Sequence, residues 1–110
     1  MRLSKDSVTK LDKCLSSPEP VPIMISYGFG NYFGPLIFVG HKFHRVILPP
    51  RGVTLSILER VFNKALSDNN KKAMMGLLNF AIHHKKTFWR RYKRTALGAQ
   101  VMANILGQHE

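Results

Sequence analysis

The side chains able to do chemistry in this sequence are few and scattered. His41 and His44 lie three residues apart, and His83 and His84 are adjacent. Neither pair has a cysteine or a second well-spaced cluster to complete it, so we predict polar surface or phosphate contact rather than a metal site. Cys14 is the only cysteine, which excludes a disulfide within the chain. Free cysteines of this kind usually fill apolar space and are not nucleophiles.

The acidic residues give no better basis for catalysis. There are six: Asp6, Asp12, Glu19, Glu59, Asp68 and Glu110. None falls in the apolar central segment, so no pair of carboxylates is placed for general acid–base chemistry. We therefore predict a protein that is not an enzyme, with no catalytic residue, no cofactor, no metal and no small-molecule substrate.

One segment is rich in Lys and Arg, the residues that bind phosphate. Between Lys71 and Arg94 the chain has eight Lys or Arg residues and no acidic residue, and residues 83–94 read HHKKTFWRRYKR. Lys and Arg contact phosphates and release condensed counterions, and Arg also stacks on bases. We predict that these cations contact RNA. For Trp89 and Tyr92, stacking on unpaired bases and packing into a core both stay open, with packing favoured.

The overall charge agrees with a polyanionic partner. The formal net charge is +11 and the isoelectric point is about 10.3. Such an imbalance destabilises a compact chain by self-repulsion unless a negative partner relieves it, and nucleic acid, an anionic membrane surface and an acidic protein lattice all qualify. No apolar run approaches the ~20 residues that span a bilayer, so no transmembrane segment is predicted. Residues 1–15 are basic and rich in hydroxyl groups, which fits either an organelle transit segment or an amphipathic surface helix.

The apolar pattern predicts a mainly α, small α+β fold. A short N-terminal helix over residues 4–16 and a proline-containing linker occupy residues 1–20, and a single small RNA-binding domain occupies residues 21–110. Short apolar runs predict an extended or β segment in the middle of the chain, with strands at 21–27, 36–39 and 43–48. The glycine- and aromatic-rich stretch 28–35 is interpreted as a turn, with base stacking as the alternative.

Two to three amphipathic helices are predicted after Pro49 and Pro50. Thr54 is placed to cap the first helix, and Asn69 or Asn70 the second. Their apolar stripes are expected to pack against each other or against a neighbouring protein: Leu55, Leu58, Val61, Phe62, Ala65, Leu66, Met74, Leu77, Leu78, Ala81 and Ile82. A third helical stretch is predicted from Lys85 to Leu106, bent at Gly98. The residues expected along one of its sides are Trp89, Tyr92, Ala96, Ala99 and Ala103.

Three stretches together resemble a known family. Val46-Ile47-Leu48, the segment Leu58-Glu59-Arg60-Val61-Phe62-Asn63-Lys64 and the basic–aromatic block 85–94 look like bacterial-type small-subunit ribosomal protein twenty-one and its mitochondrial relatives. The resemblance covers roughly residues 45–100. It implies a small helical protein bound to rRNA in the ribosomal small subunit. The rRNA contacts that it implies are Arg60, Lys64, Lys85, Lys86, Arg90, Arg91, Lys93 and Arg94.

The sequence and the resemblance together predict a structural RNA-binding component of a ribosome. The expected particle is the mitochondrial small subunit in the matrix, with a cytoplasmic ribosome as the second location, and the expected partners are rRNA and neighbouring ribosomal proteins in a large hetero-complex. Trp89 and Tyr92 complete the set of candidate RNA-binding residues. Two alternatives stay open: a helix-turn-helix DNA-binding protein built on residues 54–67 and 71–84, and a non-enzymatic accessory subunit of a membrane complex or an acidic cytoskeletal assembly.

Overall fold

Helices dominate residues 3–27 and 34–107, the part of the chain that the computed structural model describes. The elements in chain order are α1 (Lys5–Ser16), β1 (Ile23–Tyr27), β2 (Pro35–Val39), β3 (Val46–Leu48), a 3-10 turn (Pro50–Gly52), α2 (Leu55–Ser67), α3 (Lys71–His84), α4 (Lys86–Tyr92) and α5 (Ala96–Leu106). The predicted mainly α, small α+β fold is confirmed. Within these ranges no helix combines the length and apolar character needed to cross a membrane.

The three strands form one antiparallel sheet in the order β1-β2-β3. Every residue of β2, the central strand, is buried, and Ile37 and Val39 belong to the hydrophobic core. The predicted third strand is shorter than expected, because residues 41–44 form a turn in which the His44 N–H donates to the His41 carbonyl (2.8 Å). Residues 28–33, which hold most of the predicted glycine–aromatic turn, lie outside the described residues.

Helices α2 and α3 begin where their caps predict. The Thr54 hydroxyl accepts a hydrogen bond from the Ile57 N–H (3.1 Å), and the Asn70 side chain accepts one from the Ala73 N–H (3.0 Å). The side chains of their apolar stripes that reach zero exposure are Leu58, Val61, Phe62, Ala65, Met74, Leu77 and Ala81. These stripes therefore pack within the chain's own core, between the sheet and the remaining helices.

The helical stretch predicted from Lys85 to Leu106 is interrupted before Gly98, where only a bend was predicted. The chain forms two helices, α4 and α5, because the turn at residues 93–95 ends the first and Thr95 caps the second. The Thr95 hydroxyl donates to the Tyr92 carbonyl (2.6 Å) and accepts from the Gly98 N–H (3.0 Å). The break turns α5 so that Gly98 and Val101 face the core, whereas the alanine side predicted at 96, 99 and 103 is exposed.

The linker after α1 is held to α2 by a buried ion pair. The Lys64 ammonium pairs with the Asp68 carboxylate (3.0 Å) and donates to the Ser17 and Glu19 carbonyls (2.6 and 2.8 Å). The Asp68 carboxylate also accepts from the Val21 N–H (2.9 Å). Lys64 was predicted to contact rRNA, but its exposed fraction is only 6%. Since its donors already serve the linker, Lys64 is removed from the candidate interface.

Candidate nucleic-acid interface

A change of direction at Lys85 separates the basic–aromatic segment from α3. Lys85 is both the C-cap of α3 and the N-cap of α4, with φ −139° and ψ 56°. Its N–H donates to the Ala81 carbonyl (2.8 Å), and its own carbonyl accepts from the Trp89 N–H (3.1 Å). The basic–aromatic residues therefore form a short helix of their own, which packs against α3 on one side.

Three aromatic side chains of α4 hold this helix against α2. The Phe62 ring of α2 lies 5.1–6.1 Å, between centroids, from the rings of Phe88, Trp89 and Tyr92. Phe88 and Tyr92 are one helical turn apart, and their centroids are separated by 5.1 Å. Contacts at these distances add to the burial of apolar surface. The packing interpretation of the aromatics therefore holds for Phe88 and Tyr92, while Trp89 is only partly buried.

Tyr92 is part of the core and not of the interface. Its exposed fraction is 2%, and its hydroxyl donates to the Asn63 side-chain oxygen (2.7 Å). Burial, with a smaller contribution from the charge of Glu59, raises the pKa of Tyr92 to about 12. A ring buried in this way presents no face to a base, so the predicted RNA contact of Tyr92 is corrected to a structural role.

Five of the six cations of this segment are exposed. Lys86, Arg90 and Arg91 are exposed on the helix, and Lys93 and Arg94 are exposed in the turn that follows it. Together with the half-buried Lys85 they form what we call the α4 basic surface. Within residues 3–27 and 34–107, none of these six cations forms an ion pair with an acidic side chain. Six cations without an ion pair are therefore concentrated on about three helical turns of chain, and Glu59 of α2 lines a recess together with one of them, Arg91.

Arg60 lies apart from this surface. Its guanidinium pairs with the Asp12 carboxylate of α1 (2.9 Å), and both side chains are about half exposed. Arg60 and Lys64 face α1 and its linker, whereas Phe62 and Asn63 contact α4. The structure thus brings together six of the ten predicted residues, with Trp89 at their edge, and separates the other three.

The comparisons with known proteins give no relative. No protein-family model, curated protein or solved structure matches this chain.

A second basic–aromatic surface was missed in the sequence. The turn between β2 and β3 exposes five consecutive residues: His41, Lys42, Phe43, His44 and Arg45. The same mixture of cations and an aromatic ring that marked residues 83–94 is present here on a smaller scale. The apolar run to Leu48 predicts a strand that begins at Phe43, whereas the strand begins at Val46 and Phe43 is exposed in the turn before it.

Nucleophilic chemistry has little support in the described chain. The Cys14 thiol is half-buried, and burial raises its pKa above the usual value, which lowers the thiolate fraction at neutral pH. Across residues 3–27 and 34–107 there is no group of three or more His, Cys, Asp or Glu side chains arranged to hold a metal ion.

Proposed function

We propose that this chain is a structural RNA-binding protein whose α4 basic surface contacts the phosphate backbone. The observation that carries the proposal is the presence of exposed, unpaired cations on a helix fixed by aromatic packing. Charges held on a rigid element lose less conformational freedom on binding than charges on a free tail. Each phosphate that they neutralise releases condensed counterions, which is the main source of affinity in contacts of this kind.

The composition of the surface favours contact with the backbone over reading of base edges. Arg90, Arg91 and Arg94 present planar guanidinium groups that bind phosphate oxygens in pairs. The partly exposed Trp89 lies at the border of the surface and can contact a sugar or base there. Such a protein positions RNA through its shape and charge, which suits a component of a ribonucleoprotein particle.

We further propose that the particle is a ribosome, specifically the mitochondrial small subunit. This finer proposal is supported by the resemblance over residues 45–100, which span β3 to the first turn of α5. It implies rRNA and neighbouring ribosomal proteins as partners. Arg60 and Lys64 are omitted from the carried-over contacts because both are engaged with α1 and its linker.

The helix-turn-helix alternative has less support. In that motif the second helix lies in the major groove of DNA and must present a polar face to the bases. Helix α3 would have this role, but it packs against β1, α2, α4 and α5. Its exposed side chains include the apolar Met75 and Ile82, which give a base edge no hydrogen bond.

Charge reversal tests the RNA proposal directly. In fluorescence anisotropy with a labelled RNA hairpin, the variant Arg90→Glu/Arg91→Glu should lose at least tenfold in affinity, since two favourable phosphate contacts become repulsive. The matched control is Lys5→Glu/Lys72→Glu, which reverses two exposed charges outside this surface. Equal losses in both variants would indicate a general charge effect and would contradict an interface on α4.

Sedimentation of the chain from a cell extract tests the finer proposal. The full chain should sediment with the ribosomal small subunit and should be released by nuclease. Nuclease-resistant sedimentation with membranes or with cytoskeletal filaments would instead support the accessory-subunit alternative.

A further inference from the structure

The turn between β2 and β3 is built tightly against α1. Gly40, the first residue after β2, has φ +109°, a conformation that favours glycine. A Cβ added at Gly40 would lie 2.7 Å from the His44 carbonyl oxygen and 3.1 Å from the Cys14 sulfur. The Gly40 N–H also donates to the Pro22 carbonyl (2.9 Å), and the His44 N–H closes the turn on His41. The turn is therefore held in one conformation by glycine and by backbone hydrogen bonds.

Phe43 occupies a central position of this turn and projects into solvent. Its exposed fraction is 86%, and the next most exposed large apolar side chain in the described residues, Leu106, reaches 61%. Central turn positions are usually occupied by Gly, Asn, Asp or Pro, because these residues fit the turn backbone without losing buried apolar surface. A residue that breaks a local rule with no gain in packing marks a functional position more often than a structural one.

A basic pocket lies between α1 and the turn that carries Phe43, and His41 and His44 of that turn line it. It has a volume of about 420 Å³. The side chains in its walls that can bind an anion are Lys10 and Lys13 from α1, and His41 and His44 from the turn. Glu19 is the acidic residue among its lining. A pocket of this size is in the range of small-ligand sites, and cationic walls select an anionic group.

We propose that the pocket and Phe43 together bind one unpaired nucleotide of a single-stranded RNA segment, with the base stacked on Phe43 and an adjacent phosphate between Lys10, Lys13 and the turn histidines. This inference rests on the proposed RNA-binding function and adds a second contact to it. Arg60 and Lys64 face α1, whereas the α4 basic surface lies beyond Phe62 on another side of α2. The two contacts are therefore separate, and one RNA molecule can occupy both only by passing around the protein.

The concave shape of the site favours a nucleotide over a lipid surface. A protein loop inserted into a membrane generally presents several apolar side chains toward the same plane, and it gains from burying them together. Here the neighbours of Phe43 in the turn are His41, Lys42, His44 and Arg45, and the cations Lys10 and Lys13 line a recess that also includes His41 and His44. A recess formed in part by the turn that carries an exposed flat ring suits a phosphate joined to a planar base.

The test uses the full chain, a labelled ten-nucleotide oligouridylate and a labelled thirty-base-pair RNA duplex. Phe43→Ala should weaken binding of the oligouridylate about tenfold, since stacking on an unpaired base is lost, and should leave duplex affinity within about twofold. Phe43→Trp should retain the affinity, whereas Phe43→Leu, which keeps an apolar side chain without a π face, should lose it. Leu106→Ala is the control for removal of an exposed apolar side chain.

Lys10→Ala/Lys13→Ala should weaken binding of the oligouridylate more than the control Lys5→Ala/Lys72→Ala does.

The outcomes separate this inference from the proposed function. Unchanged oligouridylate affinity in Phe43→Ala, or an equal loss for oligouridylate and duplex, would overturn it. Vesicles of phosphatidylcholine and phosphatidylserine provide the membrane arm, and a Phe43-dependent loss of vesicle binding with unchanged oligouridylate affinity would also overturn it. If Arg90→Glu/Arg91→Glu leaves RNA affinity intact while Phe43→Ala weakens it, the α4 interface fails and the nucleotide site stands.

Discussion

Lys64 and Arg90 show how differently two cations of the same chain are used. The Lys64 ammonium is surrounded by two carbonyl oxygens and the Asp68 carboxylate, whereas the Arg90 guanidinium faces solvent. Burying an ammonium group is unfavourable unless partners replace its lost hydration. The linker carbonyls at Ser17 and Glu19 provide those partners. Sequence position alone cannot indicate this, because they come from 45–47 residues earlier in the chain.

Removing the Lys64 ammonium should destabilise the protein strongly. Lys64→Met keeps most of the side-chain volume but leaves the buried Asp68 carboxylate without its counter-charge. We expect the free energy of unfolding to fall by about 3–5 kcal/mol, measured by urea denaturation. The control Lys72→Ala, at an exposed position of α3, should change it by less than about 0.5 kcal/mol. A Lys64→Met variant as stable as the control would show that the linker is not held by this pair.

Tyr92 should make stability fall at alkaline pH. Because the pKa of Tyr92 is raised to about 12 in the folded chain, its neutral form contributes stability in full below the unfolded-state pKa of about 10. That contribution is lost as the pH rises from about 10 to about 12. Relative to Tyr92→Phe, the wild-type chain should therefore lose on the order of 1 kcal/mol of unfolding free energy between about pH 8 and about pH 11. If the free energy of unfolding changed with pH equally in the two proteins, the burial of this phenol would be contradicted.

At the scale of elements, the break between α4 and α5 controls which residues face the core. The sequence predicts α2 and α3 well, because Thr54 and Asn70 are strong caps and the stripes from Leu58 to Ala81 have a clear helical period. The break at residues 93–95 was missed because Lys93 and Arg94 are good helix formers. The helix ends there where Tyr92 packs against Phe62 of another helix and Thr95 caps the helix that follows.

Only part of the candidate site could be predicted from the sequence. The cations of the α4 basic surface could be identified because six of them occur without an acid nearby. The roles of the aromatics depended on a partner, Phe62, that lies in another helix. The turn at residues 41–45 was missed because a short apolar run cannot by itself fix where a strand begins.

Gly98 should be essential to the break. A Cβ at Gly98 would collide with the Tyr92 carbonyl oxygen and would lie 2.9 Å from the Lys93 Cα, both of which are backbone atoms. Gly98→Ala should therefore lower the free energy of unfolding by about 2 kcal/mol or more, although alanine is the better helix former by about 1 kcal/mol. The control is Gly107→Ala, since a Cβ there meets no atom within 4 Å. Thermal unfolding measures both variants, and equal melting temperatures would contradict the tight approach at Gly98.

At the scale of the whole molecule, the chain has a net charge of +11, and residues 3–27 and 34–107 contain two ion pairs. The core residues of the sheet and helices explain how the chain remains folded despite this charge. The α4 basic surface and the turn at residues 41–45 lie on different sides of α2 and its neighbours. This arrangement suits a protein that contacts RNA on more than one side, as a component of a particle does.

The salt dependence of RNA binding tests the central claim most directly. For duplex RNA, the slope of the logarithm of the binding constant against the logarithm of the salt concentration should be about −5 if the six cations of the α4 basic surface contact phosphates. In Arg90→Ala/Arg91→Ala the slope should become less steep by about 2, and in the control Lys5→Ala/Lys72→Ala it should not change. An equal slope in the wild-type chain and in Arg90→Ala/Arg91→Ala would contradict the assignment of the α4 basic surface as the RNA interface.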